Sequence, residues 1–164
     1  MKKVCVISDS HKMKTYVEKV RFSLCKDADV YIHCGDIFYD DPEECLDFEV
    51  VQGNHDYELG LPYFKIIQVE DVRIFVIHGE FIYFMEDDIF DYILERNQCD
   101  ILLMGHTHCA QIKTLPSGKL LCNPGSVCWP QDEFSGSFLT LEIEGKNIVP
   151  EIHRFEIDLS LFPF

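Results

Sequence analysis

Apolar residues in the first half of the chain form short, nearly continuous runs, most of which are followed by a cluster of polar residues and glycine. Continuous rather than alternating apolar runs are typical of strands that are buried on both faces of a parallel sheet. Strands of this kind are predicted at residues 2–7, 29–33, 46–51 and 101–104. Residues 15–25 have the spacing of an amphipathic helix, with an inner face formed by Tyr16, Val17, Val20 and Leu24.

Turn residues separate the remaining predicted elements. Residues 37–44 are acidic and contain a proline, so a loop with one helical turn is expected there. Residues 64–69 and 72–77 flank a two-residue turn and predict a hairpin, and acidic residues 86–88 open a helix that runs to about residue 97. Two further hairpins are predicted, at 111–115 with 119–122 and at 138–143 with 147–157.

The order of these elements predicts the fold class. Strand–helix–strand units come first and hairpins later, which favours an α/β fold of two stacked sheets with helices on the outside. A chain of 164 residues, 47% of them hydrophobic, suits a single domain that spans residues 1–164. No apolar stretch reaches the roughly 18 residues that a membrane span needs, so no membrane association is expected.

The cysteines and the first apolar run predict a cytoplasmic protein. The chain has eight cysteines but no CxxC pair, and several lie in or beside apolar runs, where a free thiol behaves as a small hydrophobic residue. We therefore expect reduced thiols and no thiolate zinc site. The apolar run at residues 4–7 is too short for a secretion signal.

The formal net charge of −15 restricts the partners. A nucleic-acid binder needs a basic face that neutralises phosphates, so nucleic acid is not expected as a partner. A small phosphorylated substrate is still compatible with this charge, because divalent cations bound in a cleft reverse the local field.

Six short polar blocks carry the candidate chemistry. They read Asp-Ser-His at 9–11, Gly-Asp at 35–36, Gly-Asn-His-Asp at 53–56, His-Gly at 78–79, Gly-His-Thr-His at 105–108 and Asn-Pro-Gly-Ser at 123–126. Functional residues of an open α/β sheet collect at the carboxyl ends of its strands, so these blocks are expected to meet. They offer seven oxygen and imidazole ligands: Asp9, His11, Asp36, Asn54, His78, His106 and His108.

Seven ligands are too many for one structural zinc ion, which is held by four. The set fits two adjacent divalent cations about 3.5–4 Å apart, with Asp36 as our candidate for the bridging carboxylate. Mixed imidazole and carboxylate ligation suits manganese, iron, nickel, cobalt or zinc better than magnesium or calcium. His106 and His108 can serve different ions if the turn between them aims their rings apart.

In this order, Asp-x-His, Gly-Asp, Gly-Asn-His-Asp, His-Gly and Gly-His-Thr-His resemble the motifs of the calcineurin-like metallophosphoesterase superfamily. The Asn-Pro-Gly-Ser block and the short chain are similar to its small prokaryotic phosphodiesterase branch. The resemblance covers residues 9–126. It implies a four-layer α/β/β/α sandwich of two mixed β-sheets flanked by helices, and a phosphoester hydrolase with two metal ions, most often manganese.

The resemblance also implies roles for individual residues. The first ion would be held by Asp9, His11, Asp36 and His108, and the second by Asp36, Asn54, His78 and His106. His55 would be the general acid, and Asp56 would orient it. The implied reaction is in-line attack of a metal-bridging hydroxide on phosphorus, while His55 protonates the leaving-group oxygen. A diester is favoured over a monoester by the resemblance, and weakly by the absence of an arginine beside the blocks to bind a monoester's extra charge.

Two positions depart from the pattern that many relatives share. Lys12 stands where many have glycine, and Glu80 stands where many have a second histidine after His-Gly. Neither change removes an expected ligand. Both alter the rim of the site, and they leave the natural substrate open.

Other functions are compatible with parts of the sequence. The fold resembles that of a retromer sorting subunit, a binding scaffold with a degraded metal site, but here every ligand position and His55 are intact. A phosphomonoesterase could use the same site. A nuclease would need a nucleic-acid surface, and a protein phosphatase would need more chain for a peptide groove.

Several residues have simpler interpretations. We expect structural roles for His33 and His153, and Asn123 to Ser126 is either a plain turn or a wall of the site. The apolar segments 81–84 and 161–164 can serve as core or as contacts with a partner, including a second copy of the chain.

Overall fold

The computed structural model describes residues 1–38, 41, 45, 47–158 and 160. The strands of this part of the chain are β1 (Lys2–Ile7), β2 (Val30–His33), β3 (Glu49–Val50), β4 (Phe64–Val69), β5 (Val72–Ile77), β6 (Ile101–Leu103), β7 (Ala110–Thr114), β8 (Leu120–Pro124), β9 (Gly136–Glu144) and β10 (Asn147–Phe155). Two α-helices accompany them within the same residues, α1 (Lys14–Lys19) and α2 (Asp87–Arg96). A 3₁₀ turn spans Tyr57–Leu59.

Within the described chain the strands form two five-stranded mixed sheets, in the orders β10-β9-β1-β2-β3 and β4-β5-β6-β8-β7. In the first sheet β1, β2 and β3 are parallel, and β9 and β10 are added antiparallel. In the second sheet β5, β6 and β8 are parallel, and the antiparallel strands β4 and β7 form the edges. The parallel strands of each sheet are therefore neighbours, and their carboxyl ends lie at the same edge of that sheet.

Side-chain alternation along the strands separates three apolar layers. In β1, Val4 and Val6 belong to the cluster between the two sheets, whereas Cys5 and Ile7 belong to the cluster under α1. Strand β5 alternates in the same way between the central cluster and the cluster under α2. The resulting order of helix, sheet, sheet and helix confirms the expected four-layer α/β/β/α sandwich.

Several predicted elements coincide with the observed ones. Strands β4 and β5 have the predicted bounds and pair from Val69 with Val72 to Phe64 with Ile77. Helix α2 carries two carboxylates in its first turn, where they complement the positive end of the helix dipole. The later hairpins differ from the predicted ranges by at most two residues at each strand end.

The inner face predicted for residues 15–25 is wrong at its last position. After α1 the chain continues as a π-helix over Val20–Leu24, closed by a 2.8 Å hydrogen bond from Cys25 N to Val20 O. This wider turn contains one more residue than an α-helical turn, which rotates the following positions. Tyr16, Val17 and Val20 are buried as predicted, but Cys25 takes the buried place that was expected for Leu24.

Some predictions fall partly beyond the described residues. This holds for the loop at 37–44 and for residue 46 of the strand predicted at 46–51. The remainder of that strand was predicted too long, because only Glu49–Val50 forms β3. The apolar segment 161–164 also lies outside the described residues. Within the part of the chain that is described, no helix has the length and apolar character needed to cross a membrane.

Candidate metal centre

The seven predicted ligands lie in the turns that follow five parallel strands of the two sheets. Asp9 and His11 come after β1, Asp36 after β2, Asn54 after β3, His78 after β5, and His106 and His108 after β6. Because these strand ends lie at a common edge, residues that are far apart in the sequence become neighbours. His11 and His108, for example, are 97 positions apart, and their Nε2 atoms lie 3.1 Å apart.

Backbone strain is concentrated in these turns. Nine non-glycine residues of the described chain have a positive φ, and seven of them lie in the ligand turns: Asp9, His11, Lys12, Asp36, Phe38, His106 and His108. A left-handed backbone costs a residue with a side chain about 1–2 kcal/mol. Such strain persists where a function requires the geometry. Five of the seven are predicted ligands, and Lys12 and Phe38 are not.

The first group of ligand atoms surrounds one oxygen of Asp9, which is fully buried. Its Oδ2 accepts hydrogen bonds from Ser8 Oγ at 2.6 Å and from His106 N at 3.0 Å. Its Oδ1 has no hydrogen-bond partner among the described residues, and it lies 3.2 Å from His108 Nε2 and 3.8 Å from His11 Nε2. One carboxylate oxygen and two ring nitrogens thus converge on one position.

The second group adjoins the first. Asn54 Oδ1 lies 3.0 Å from His78 Nε2 and 3.2 Å from His106 Nδ1. Asp36 Oδ2 is 3.4 Å from the same His78 nitrogen, and Asp9 Oδ1 is 3.9 Å from it. The turn between the last two histidine ligands therefore aims one ring at each group.

The hydrogen-bonding pattern tests whether these residues fit metal cations. His78 Nδ1 lies 2.7 Å from the carbonyl oxygen of Cys34, and His108 Nδ1 lies 2.7 Å from that of Trp129. A carbonyl only accepts, so in each neutral ring the proton is on Nδ1 and Nε2 presents a lone pair. These lone pairs face carboxylate and amide oxygens, so each such pair of atoms needs either a proton or a cation between them. The residues fit divalent cations.

The electrostatics of the site also favour positive charge. Burial alone lowers the pKa of His78, but its close contact with Asp36 and the charges of Asp9 and Asp36 outweigh burial and raise this pKa to about 9. Burial alone raises the pKa of Asp9, yet the adjacent rings of His108 and His11, in their protonated forms, more than offset burial and leave that pKa lowered. Anionic carboxylates in a buried site attract cations strongly.

Asp9 is the residue that the two groups share. Asp9, His11 and His108 form one compact set of potential ligands, and Asp9, Asp36 and His78 form another. The geometry therefore adds Asp9 as a candidate for a bridging carboxylate. Bridging by Asp36 stays a prediction.

Asp56 organises the turn that carries Asp36. Its buried carboxylate accepts hydrogen bonds from four backbone N–H groups, those of Asp36 at 2.7 Å, Gly53 at 2.9 Å, Phe38 at 3.0 Å and Ile37 at 3.1 Å. Among the described residues, its partners are backbone amides and not the ring of His55. The orienting role predicted for Asp56 can therefore act on His55 only through the turn.

Phe38 provides that connection. Its ring stacks on His55 with centroids 4.3 Å apart and planes at 24°, and the ring of His11 lies 6.0 Å from that of His55. The hydrogen bond from Phe38 N to Asp56 helps hold Phe38 at φ +60°. His55 itself is exposed. The stack therefore supports an accessible imidazole beside a predicted metal ligand.

A cavity of about 590 Å³ opens over the ligands. It is lined by His11, Lys12, Asp36, Phe38, Asn54, His55, His106, His108, Trp129 and Gln131. A second hollow of about 510 Å³ adjoins it and also contains Tyr57, Glu58 and Leu59. Lys12, Phe38, Asn54 and His55 line both. Of the described lysines and arginines, only Lys12 lines either space.

The Asn-Pro-Gly-Ser block supports the ligand turns and does not line the cavity. Asn123 Nδ2 donates hydrogen bonds to Gly105 O at 2.8 Å and to Thr107 Oγ1 at 3.0 Å. Ser126 Oγ donates to Asp9 O at 2.8 Å. Both side chains are buried, so the block connects β8 to the turns after β1 and β6.

His33 has a similar structural role. Gly35 N donates to its Nδ1 at 3.1 Å, so the proton is on Nε2, which lies 2.9 Å from Ser10 Oγ. Burial lowers the pKa of His33 to about 4 and keeps the ring neutral near pH 7. The ring thereby connects the first two ligand turns. His153 contacts Thr140 Oγ1 at 2.8 Å and is also structural.

Beside the predicted ligands lie Ser8, which sequence reasoning missed, and Glu80, which it expected at the rim of the site. Ser8 donates to Asp9, and its position directly before that residue was the available signal. Both carboxylate oxygens of Glu80 are buried without a hydrogen-bond partner among the described residues. Burial and the charge of His78 lower the pKa of His106, and the charge of Glu80 acts in the opposite direction.

The fold and the converging ligands are those of a metallophosphoesterase. The calcineurin-like phosphoesterase superfamily domain matches residues 1–146, so the chain belongs to this superfamily. The family expected from the motifs is thereby confirmed. The chain is therefore a metal-dependent phosphoesterase by class.

Two curated relatives carry corresponding names. A probable metallophosphoesterase of Methanocaldococcus jannaschii is 34% identical over 148 residues, which cover 86% of this chain and 76% of the relative. A probable metallophosphoesterase of Bacillus subtilis, YsnB, is 28% identical over 144 residues, covering 86% of this chain and 84% of the relative.

Solved structures share the fold. A conserved uncharacterised protein of Streptococcus pneumoniae, described as a predicted phosphoesterase, superimposes with a TM-score of 0.82 at 25% identity, over 97% of this chain and 94% of that one. A Vps29 single mutant from Entamoeba histolytica has a TM-score of 0.70 at 22% identity, over 94% of this chain and 99% of its own. A structure described as a novel archaeal phosphodiesterase has a TM-score of 0.68 at 19% identity, over 92% of this chain and 99% of that chain.

Proposed function

We propose that this chain is a phosphodiesterase that depends on two divalent transition-metal ions, with manganese as the first candidate. The observation that supports the proposal best is the pair of adjoining ligand groups that meet at Asp9 Oδ1, a buried oxygen without a hydrogen-bond partner in the described chain. Two groups of lone-pair atoms this close together fit a pair of adjacent ions better than they fit a structural site with one ion.

Divalent cations held by these groups would supply Lewis-acid activation of a water and would draw charge from the phosphate oxygens. The protein residues hold that geometry. Asp56 fixes the turn of Asp36 through backbone amides, and Asn123 and Ser126 fix the turns of His106 and Asp9. A site that is already organised needs little rearrangement when the phosphate reacts.

His55 is our candidate for the general acid. Its exposed ring lies against Phe38 at the junction of the two hollows, where a leaving group can reach it. A protonated imidazole at this position would transfer its proton to the departing alkoxide oxygen. General acid catalysis of this kind contributes about 10²–10⁴-fold.

The charges around the cavity support a diester over a monoester. A monoester dianion carries one more negative charge than a diester and is usually held by arginine forks. Within the described residues, no arginine lines the cavity, and Lys12 is exposed. The diester needs no such additional clamp.

Hydrolysis of bis(p-nitrophenyl) phosphate and of p-nitrophenyl phosphate tests the proposal. Both substrates are assayed with manganese, with chelator, and with an Asp36→Asn variant. We expect manganese-dependent cleavage of the diester in preference to the monoester, and at least a hundredfold loss in the variant, since a ligand is removed. An Asp88→Asn variant, which changes an exposed carboxylate in α2, is the matched control and should retain activity.

Each other outcome has a defined meaning. A preference for the monoester would keep the metal centre and overturn the diesterase assignment. Absence of cleavage with any divalent metal, in protein shown to be folded, would favour the alternative that this superfamily fold serves here as a binding scaffold.

A further inference from the structure

Two residues in the ligand turns carry backbone strain without being predicted ligands. Lys12 has φ +67° and Phe38 has φ +60°. Phe38 has an assigned contact, because its ring supports His55. Lys12 has no comparable structural task, so its side chain requires a separate explanation.

The backbone alone would favour glycine at position 12. Lys12 N donates to Ile37 O at 3.0 Å, and Lys12 O accepts from Lys14 N at 2.9 Å. These hydrogen bonds hold the residue in the left-handed region, which glycine adopts without a steric penalty. Strain of this kind at a residue with a long side chain, next to a site, indicates that the side chain has a function there.

The surroundings of Lys12 point to an anion. The side chain lines both hollows, and so does His55. Its ammonium group makes no ion pair or hydrogen bond with any described residue, although the chain contains 29 acidic residues and most of its other lysines and arginines are paired. A cation beside His55 that has no partner in the described part of the chain lies on the leaving-group side of the proposed reaction.

We propose that Lys12 and the hollow next to His55 form a subsite for a second anionic group, such as a terminal phosphate, on the leaving group of the diester. The substrate class is then a phosphodiester with a phosphorylated leaving group, for example a short nucleotide fragment. This inference rests on the proposed diesterase function. The aromatic ring of Tyr57 and the apolar side chain of Leu59 in the second hollow suit the uncharged part of such a leaving group.

Binding of small nucleotides tests the subsite without requiring turnover. Dissociation constants are measured by calorimetry, with manganese present, for thymidine 3′,5′-bisphosphate, thymidine 3′-phosphate and thymidine 5′-phosphate. The wild-type chain should bind the bisphosphate about three- to tenfold more tightly than at least one monophosphate, as expected for one solvated ion pair. In Lys12→Gln that ratio should fall towards one, and Lys12→Arg should restore it.

A matched charge change separates local from general electrostatics. Lys26 is exposed and lies in neither hollow, so Lys26→Gln removes the same charge from the molecule and should leave the ratio unchanged. Lys12→Gly provides a control for folding. Its thermal midpoint should equal or exceed that of the wild type, because glycine relieves the strain, while its ratio should fall as in Lys12→Gln.

The results discriminate between the two proposals. Equal ratios in the wild type and Lys12→Gln, equal losses in the Lys26 control, or no nucleotide binding by the wild type would overturn the subsite. Hydrolysis of thymidylyl-thymidine, with and without a terminal phosphate, then tests substrate preference directly. If no diester is cleaved, the diesterase assignment fails, whereas a ratio that depends on Lys12 still supports the anion subsite.

Discussion

Asp9 illustrates how the fold prepares a single carboxylate for a cation. The residue is fully buried, and two donors satisfy one of its oxygens while the other oxygen faces imidazole nitrogens. Burying a carboxylate without compensation is costly, so the unpartnered oxygen destabilises the site until positive charge arrives. At the residue scale, the arrangement of the predicted ligands therefore favours binding of a cation, because the cation relieves this destabilisation.

The stack of Phe38 on His55 leads to a prediction about leaving groups. Phe38→Leu keeps an apolar side chain but removes the ring that supports the imidazole. We expect cleavage of diesters with poor alkyl leaving groups to fall about tenfold, because a misplaced acid no longer protonates the departing oxygen. Cleavage of bis(p-nitrophenyl) phosphate should change little, since nitrophenolate leaves without a proton. Values of kcat/KM for the two kinds of substrate provide the measurement.

The variant His55→Gln is the reference for this experiment. It should show the same selectivity with a larger loss, as expected when the acid is removed and not only displaced. If Phe38→Leu lowers the rates of both substrate kinds equally, the ring supports the site in general and does not position His55.

Glu80 gives a prediction about stability at the residue scale. Both of its carboxylate oxygens are buried without a hydrogen-bond partner in the described structure. A buried charge of this kind is destabilising, so Glu80→Gln should raise the free energy of unfolding by about 1 kcal/mol in the presence of chelator. Urea denaturation measures the change. A loss of stability of similar size would show that the carboxylate has a favourable partner in solution.

The predicted ligands lie in the turns between elements, and the side chain of Asp56 stabilises two of these turns at once. Its carboxylate accepts from the N–H of Gly53 and from those of three successive residues after β2. These residues adopt conformations that secondary structure does not stabilise. The carboxylate therefore replaces the hydrogen bonds that a regular element would supply.

Replacement of Asp56 by asparagine should be strongly destabilising. The amide presents one oxygen and an NH₂ group to four backbone donors, so at least one buried N–H loses its acceptor. We expect the free energy of unfolding to fall by about 2–4 kcal/mol in urea denaturation. Asp88→Asn, at an exposed site in α2, should lose only a few tenths of a kcal/mol and is the matched control. Equal losses in the two variants would contradict this role for Asp56.

Comparison of the elements shows which features a sequence can predict. The hairpin of β4 and β5 was predicted with its observed bounds because turn residues and β-branched residues act locally. The π-helix over Val20–Leu24 was missed, because a helical spacing in the sequence does not record one additional residue in a turn. The same limit applies to Asp56, whose backbone partners carry no signal in their side chains.

At the scale of the whole molecule, the two sheets bring distant segments together. Five strand ends contribute the predicted ligands, and the central apolar cluster fixes the sheets against each other. The convergence of the seven predicted ligands could be anticipated because residue type and order survive in the sequence. Their division into groups that share Asp9, and the carbonyls that set the histidine tautomers, depend on three-dimensional positions and could not.

Charge is a second property of the whole molecule. With a net charge of −15, the chain repels anions in general, so an anionic substrate must be attracted locally. Cations at the ligand groups and Lys12 would provide that attraction. The expected absence of nucleic-acid partners and the cytoplasmic location stay predictions.

The most direct test of this account is the number of manganese ions that one chain binds. Protein stripped with chelator is titrated with manganese by calorimetry, and the spectrum of the bound ions is recorded by electron paramagnetic resonance. We predict two ions per chain with the magnetic coupling of close neighbours, and one uncoupled ion in His11→Ala and in His106→Ala, which each disrupt one group. One ion or none in the folded wild-type chain would contradict the dinuclear centre.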